Sequence, residues 1–178
     1  MNLPNKLTML RTIMIPFFVI FMLVPFEGDW SKWVALAIFA GASLTDWFDG
    51  RIARKYNLIT NFGKFMDPLA DKLLVCTALI CFVDLGRIPT WIVIIIIARE
   101  FIISGFRLIA SDQGIVLAAG IWGKMKTACQ MVMTLVLIAD INGMEIVEQI
   151  LIYASLALTI ISLCDYLYHN RSVLQEER

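Results

Sequence analysis

The chain has 178 residues, 60% of them hydrophobic and 17% charged, with a formal net charge of zero. Soluble domains of this size carry about a quarter charged residues, so a mean hydropathy of +0.78 excludes an ordinary water-soluble globule and makes a bilayer the expected solvent. The absence of a basic excess gives no reason to expect nucleic acid as a partner.

The first residues, Met1-Asn2-Leu3-Pro4-Asn5-Lys6, are polar-dotted, and no small-residue cleavage site follows the first apolar run. This predicts a short interfacial helix leading into the first span, in place of a removable signal peptide. Hydrophobic segments then run over roughly 12–26, 32–54, 63–84, 89–110, 121–139 and 146–168. In hydrocarbon each backbone polar group needs an internal partner, so segments of this length must be helices. The expected fold is therefore an all-α integral membrane domain over 1–178, with six transmembrane helices and both termini on one side.

Polar breaks separate the segments, among them Glu27-Gly28-Asp29, Gly86-Arg87-Ile88-Pro89 and Asp140-Ile141-Asn142-Gly143. With the odd connections assigned to one face, Lys32 and Arg87 are the only basic residues there. The other lysines and arginines fall on the opposite face, which the positive-inside rule places in the cytoplasm together with both termini. Cys76, Cys81, Cys129 and Cys164 all lie in apolar runs without a CxxC pair and read as small apolar helix residues. His169 is the only histidine, which excludes a histidine-rich zinc site. The tail from Arg171 to Arg178 reads as a solvated end.

The strongest chemical signal lies between residues 45 and 72. Asp46 and Asp49 stand three apart on the second helix, in phase with Gly50 and Ala53, while Gly63, Asp67 and Asp71 form a stripe at spacing four on the third. The short connection predicts an antiparallel hairpin, with each carboxylate pair able to project into the gap between its helices. Taken alone, Asp67 before Pro68 reads as a helix cap. Four carboxylates together need a cation, and an oxygen-only, histidine-free set suits Mg²⁺, Mn²⁺ or Ca²⁺. A pair of such ions about 4 Å apart suits phosphoryl chemistry. Gly50 and Ala53 let a flat ligand approach the helix backbone, and Arg54 can reach a phosphate oxygen.

These residues resemble the signature of the CDP-alcohol phosphatidyltransferase family, D-x-x-D-G-x-x-A-R, then eight residues, then G-x-x-x-D-x-x-x-D. It reads here as Asp46-Trp47-Phe48-Asp49-Gly50-Arg51-Ile52-Ala53-Arg54, followed by Gly63, Asp67 and Asp71. The resemblance covers essentially the whole chain. It implies two divalent cations, Mg²⁺ first and Mn²⁺ second, held by Asp46, Asp49, Asp67 and Asp71. It implies that Asp71 also serves as general base toward the acceptor hydroxyl, and that Gly50, Ala53 and Arg54 line a pocket for the CDP group of CDP-diacylglycerol. Asn5 and Thr8, within Pro4-Asn5-x-x-Thr8-x-x-Arg11, resemble the family's amino-terminal segment and would close that pocket, although a plain helix start explains them equally well. A homodimer is also implied. Ala37, Gly41 and Thr45, four apart, would permit close helix packing within the chain or between chains.

The acceptor is read from the remaining basic residues. Arg99 and Arg107 lie eight apart on the fourth segment, about 80° from each other around the helix, and Lys124 and Lys126 open the fifth. An arginine within a span is costly unless it meets an anion. Glu100 is adjacent in sequence to Arg99 but is expected to point to another side. Together the four cations suggest a pocket for a second phosphate. The stretches Ala98-Arg99-Glu100-Phe101, Ser104-Gly105-x-Arg107 and Gly123-Lys124-x-Lys126-Thr127 resemble the bacterial phosphatidylglycerophosphate synthase branch of the family. That branch implies glycerol 3-phosphate as acceptor at the cytoplasmic (inner) membrane, with inositol phosphate and serine as alternatives. An ion transporter is a distant reading, because its acidic groups would belong at mid-span.

Overall fold

The computed structural model describes the backbone of residues 3–55, 61–112 and 120–171, and the side chains of 8–45, 69, 70, 72–111 and 120–171. Among the described residues six α-helices follow one another, α1 (Leu3–Leu23), α2 (Trp30–Lys55), α3 (Asn61–Asp84), α4 (Thr90–Asp112), α5 (Ile121–Ala139) and α6 (Glu145–His169). No strand occurs among the described residues. The run Ile92 to Ile97 is rich in β-branched residues, which disfavour helices in water. It is helical here because α4 satisfies each of its backbone groups internally.

One expectation is corrected at the start of the chain. The expected short interfacial helix is not a separate element: α1 is continuous from Leu3 to Leu23 with Pro16 inside it. Nothing between Thr8 and Pro16 breaks a helix, and the Thr12 hydroxyl donates to the Thr8 carbonyl at 3.1 Å, keeping that turn closed. Pro16 removes one backbone donor, yet the helix runs on past it.

The contacts divide the chain into two compact units. The first holds residues 1–87 with the end of α5, Thr134–Ile141. Here α1 packs along both α2 and α3. Phe18 and Phe39, both fully buried, meet with ring centroids 5.9 Å apart. Phe21, Phe26 and Trp30 form an aromatic cluster at the α1–α2 connection. In the Ala37, Gly41 and Thr45 stripe, Gly41 makes no close contact with a neighbouring helix: a Cβ on it would meet nothing within 4 Å.

Helix α3 ends in a Schellman turn. Gly86, at φ +68, bonds back to the Val83 carbonyl while the Arg87 N–H reaches the Phe82 carbonyl at 2.8 Å. The turn aims Arg87 at Asp140, whose carboxylate it meets at 2.7 Å. Asp140 ends α5 with φ +46, a conformation aspartate tolerates. Its carbonyl accepts from Lys32 Nζ at 3.3 Å, and Lys32 also pairs with Asp29 at 3.3 Å. The two basic residues of the odd connections thus converge on one aspartate, and those connections share one end of the unit. Asp140→Asn keeps the backbone preference and removes the charge. Because the pair is solvent-screened, this variant is expected to cost under about 1 kcal/mol, read as a fall of about 2–4 °C or less in the detergent melting midpoint.

The second unit comprises Ile88–Met133 and Asn142–Arg178. Ile103, Phe106 and Ala110 of α4 pack with Leu163, Tyr166 and Leu167 of α6. Helix α6 buries Glu148, Ser155, Thr159 and Ser162 and exposes Ile146, Ile150, Tyr153, Ile160 and Ile161. That arrangement is upside down for water, where exposed isoleucine and buried hydroxyls both cost free energy. It suits a helix whose outer face meets hydrocarbon. Among the described residues α6 is the helix long and apolar enough to cross a membrane. Arg99, Glu100 and Arg107 in α4, and Lys124 and Lys126 in α5, make those helices less apolar.

Candidate functional site

The backbone bears out the helical phase on which the carboxylate reading rests. Asp46, Asp49, Gly50, Ala53 and Arg54 lie toward the C-terminal end of α2, and Gly63, Asp67 and Asp71 in the first half of α3. On continuous helices, spacings of three and four put each set on one face. Helix α3 begins at Asn61, six residues ahead of Asp67, so a helix cap does not explain Asp67. The side chains of these residues and of Asn5, and the connection 56–60, lie outside those described.

Thr8 and Arg11 show how the amino-terminal segment is seated. Both are 1% exposed, although a threonine and an arginine near the start of an isolated helix would face solvent. The Arg11 Nε donates to the Ala42 carbonyl of α2 at 3.2 Å. Ala42 stands one turn before Asp46, so this bond fixes α1 against the part of α2 that leads into the aspartate run. Among the described residues no group of three or more His, Cys, Asp or Glu is placed to hold a metal ion. None of the four cysteines takes part in a disulfide.

The second unit brings two of the four basic candidates together. Arg99 is 8% and Lys126 2% exposed. Glu100 Oε1 accepts from Arg99 Nη1 at 3.2 Å, and the same oxygen pairs with Lys126 Nζ. On the other edge of the guanidinium, Nε and Nη2 donate to Ser162 Oγ at 3.2 and 3.1 Å. Ser162 in turn donates to the Thr159 carbonyl at 3.0 Å, which leaves its lone pairs for the arginine. A Cβ on Gly123 would meet Arg99 Nη2 at 3.5 Å, so α5 passes the guanidinium tip with a residue that has no side chain to cover it. Arg107 lies instead over the Tyr166 ring, 5.8 Å from its centroid, and Lys124 is exposed; neither joins the Glu100 network.

Glu100 therefore corrects the expectation drawn from sequence. Adjacent helix positions point about 100° apart, but a long arginine next to a glutamate can curl its head back to the neighbouring carboxylate. Ser162 carried no signal in sequence. Its partner is 63 residues away, and only the pairing of α4 with α6 brings them together.

The family model for CDP-alcohol phosphatidyltransferases matches residues 1–161, and the chain belongs to this family. Relatives are similar over nearly all of this chain. A Bacillus subtilis protein named CDP-diacylglycerol–glycerol-3-phosphate 3-phosphatidyltransferase is 43% identical, covering 98% of this chain and 97% of its own. A Haemophilus influenzae protein of the same name is 42% identical over 93% of this chain and 91% of its own. A Mycobacterium tuberculosis protein named probable phosphatidylglycerophosphate synthase is 39% identical over 93% and 79%.

Proposed function

We propose that this chain transfers the phosphatidyl group from CDP-diacylglycerol to glycerol 3-phosphate, giving phosphatidylglycerophosphate and CMP. The observation that carries the acceptor is the buried Arg99–Glu100–Lys126 cluster. Two buried cations converge on one carboxylate oxygen inside an apolar unit, a basic arrangement that favours an alcohol bringing its own phosphate. The family membership and the names of its relatives support the donor.

The reaction asks little covalent chemistry of the protein. Asp71 takes the proton from the acceptor hydroxyl, whose oxygen attacks the phosphorus bearing diacylglycerol. The bond from that phosphorus to the CMP phosphate oxygen breaks, and CMP leaves. Arg54 holds a phosphate oxygen of the CDP group, with Gly50 and Ala53 leaving room for it and Asn5 and Thr8 closing the pocket. Arg99 and Lys126, with Arg107 and Lys124 nearer the rim, hold the acceptor phosphate.

Asp46, Asp49, Asp67 and Asp71 fit a pair of divalent cations. The set is all oxygen, and the helical register puts each pair on one face. Bound Mg²⁺, or Mn²⁺ in its place, supplies polarisation of the pyrophosphate and stabilisation of the leaving group. The apolar outer face of α6 supports insertion in the bacterial cytoplasmic membrane as six spans, termini and active site facing the cytoplasm. The protein acts as a homodimer.

The test is CMP release from CDP-diacylglycerol by purified protein, with Mg²⁺ or Mn²⁺ and with or without glycerol 3-phosphate. Release that needs both is the expected result. Release with inositol phosphate or serine but not glycerol 3-phosphate would overturn the acceptor. No release with any alcohol, from folded protein, would overturn the enzyme.

A further inference from the structure

Resting on the acceptor reading above, we propose that Tyr166 is a positioning residue: its ring seats the Arg107 guanidinium, so that α6 gathers the two arginines of α4 toward one acceptor phosphate. Arg107 is exposed, and its guanidinium carbon lies over the Tyr166 ring, 5.8 Å from the centroid. At that separation a cation is attracted by the face of an aromatic ring. Among the described residues the guanidinium has no hydrogen-bond acceptor and no carboxylate partner. A ring holds a cation without neutralising it, whereas a carboxylate would compete with a phosphate for the same N–H groups.

The ring is itself fixed. Tyr166 is buried and packs in the α4–α6 core with Ile103, Phe106 and Ala110. Phe106, the neighbour of Arg107 on α4, meets the ring edge to face, with centroids 6.0 Å apart and an interplanar angle of 81°. The Tyr166 hydroxyl is buried without a hydrogen-bond partner, so the surroundings use the ring and not the hydroxyl.

Arg99 and Arg107 stand eight apart on α4, about 12 Å along its axis, while Ser162 and Tyr166 stand four apart on one face of α6, about 6 Å along its axis. Ser162 takes the head of Arg99 and Tyr166 that of Arg107. The two positive charges are therefore drawn closer together than their places on α4 would set them. An arginine moving freely in solvent loses side-chain entropy when it grips an anion. One already seated on a ring has lost part of that freedom beforehand, and the acceptor binds more tightly for it.

The test is steady-state kinetics on full-length Tyr166→Leu, Tyr166→Phe and Arg107→Ala. Tyr166→Leu is expected to raise the KM for glycerol 3-phosphate about 2- to 5-fold, with kcat and the KM for CDP-diacylglycerol near wild type. Tyr166→Phe, which keeps the ring, should rescue the acceptor KM. In an Arg107→Ala background, Tyr166→Leu should add no further rise, because the group it positions is gone. If Tyr166→Leu does not accumulate as folded protein, phenylalanine with an increasingly fluorinated ring at position 166 serves. Fluorine withdraws charge from the ring face with little change of shape, so the KM should climb with fluorination. An unchanged acceptor KM in the ring-altered variant, where Arg107→Ala raises it, overturns the seat. So does a rise in Tyr166→Phe as large as in Tyr166→Leu, which would assign the effect to the hydroxyl. A wild-type acceptor KM in Arg107→Ala, with glycerol 3-phosphate still used, removes Arg107 from the acceptor site and overturns the seat with it. A wild-type protein that uses an unphosphorylated alcohol and not glycerol 3-phosphate overturns the acceptor reading itself.

Discussion

Replacing Asp71 by asparagine is expected to lower CMP release by on the order of 10²- to 10⁴-fold, the usual worth of a positioned general base. Asparagine keeps the size of the side chain and can still accept a hydrogen bond, but it cannot take the acceptor's proton. The one histidine of the chain, His169, stands at the far end of α6, so no histidine base stands in the signature. The same substitution also removes a charged ligand if Asp71 contributes to the metal site, and Mg²⁺ titration separates the two effects. Loss of a ligand weakens metal binding, so Asp46→Asn or Asp49→Asn should recover part of its activity as Mg²⁺ is raised. Loss of the base leaves metal affinity less changed and the chemical step slow at saturating Mg²⁺. Asp71→Asn is expected in the second class, with the KM for CDP-diacylglycerol near wild type. Recovery by Mg²⁺ alone would leave Asp71 a ligand only and send the search for the base to the other aspartates.

How much of this was legible in the sequence depends on the range over which each feature is determined. The bounds of α2 to α6 follow hydropathy closely, because an apolar segment must end where Gly28, Gly86 or the Asp140–Gly143 stretch allows the chain to turn. The phase of the aspartates was legible for the same reason, since spacings of three and four acquire a meaning once the helix is granted. The continuity of α1 was harder to read. Polar residues at its start suggested an interface, but burial of Thr8 and Arg11 against α2 gives those residues an inside position. Hydropathy scales do not contain that pairing. The convergence of Lys32 and Arg87 on Asp140 was half legible: sequence put both cations on one face, and only the fold supplied their common anion. Glu100 and Ser162 were the most distant from sequence, one because a flexible neighbour can bend back and the other because its role depends on α4 meeting α6.

Arg99 carries the second large effect. Arg99→Ala is expected to raise the KM for glycerol 3-phosphate about 10- to 100-fold, the range for losing charge-assisted hydrogen bonds of about 1.5–3 kcal/mol. The KM for CDP-diacylglycerol should stay near wild type. Removing the guanidinium takes one positive charge and a planar set of N–H donors, held from α6 by Ser162, away from the acceptor's phosphate. Arg99→Lys should recover little. A single ammonium cannot present two N–H groups to Ser162 and a third to Glu100 in the fixed planar arrangement a guanidinium provides. If Arg99→Ala raised the KM for CDP-diacylglycerol and left that for glycerol 3-phosphate unchanged, the cluster would serve the donor's pyrophosphate, and the acceptor would have to be held by Arg107 and Lys124.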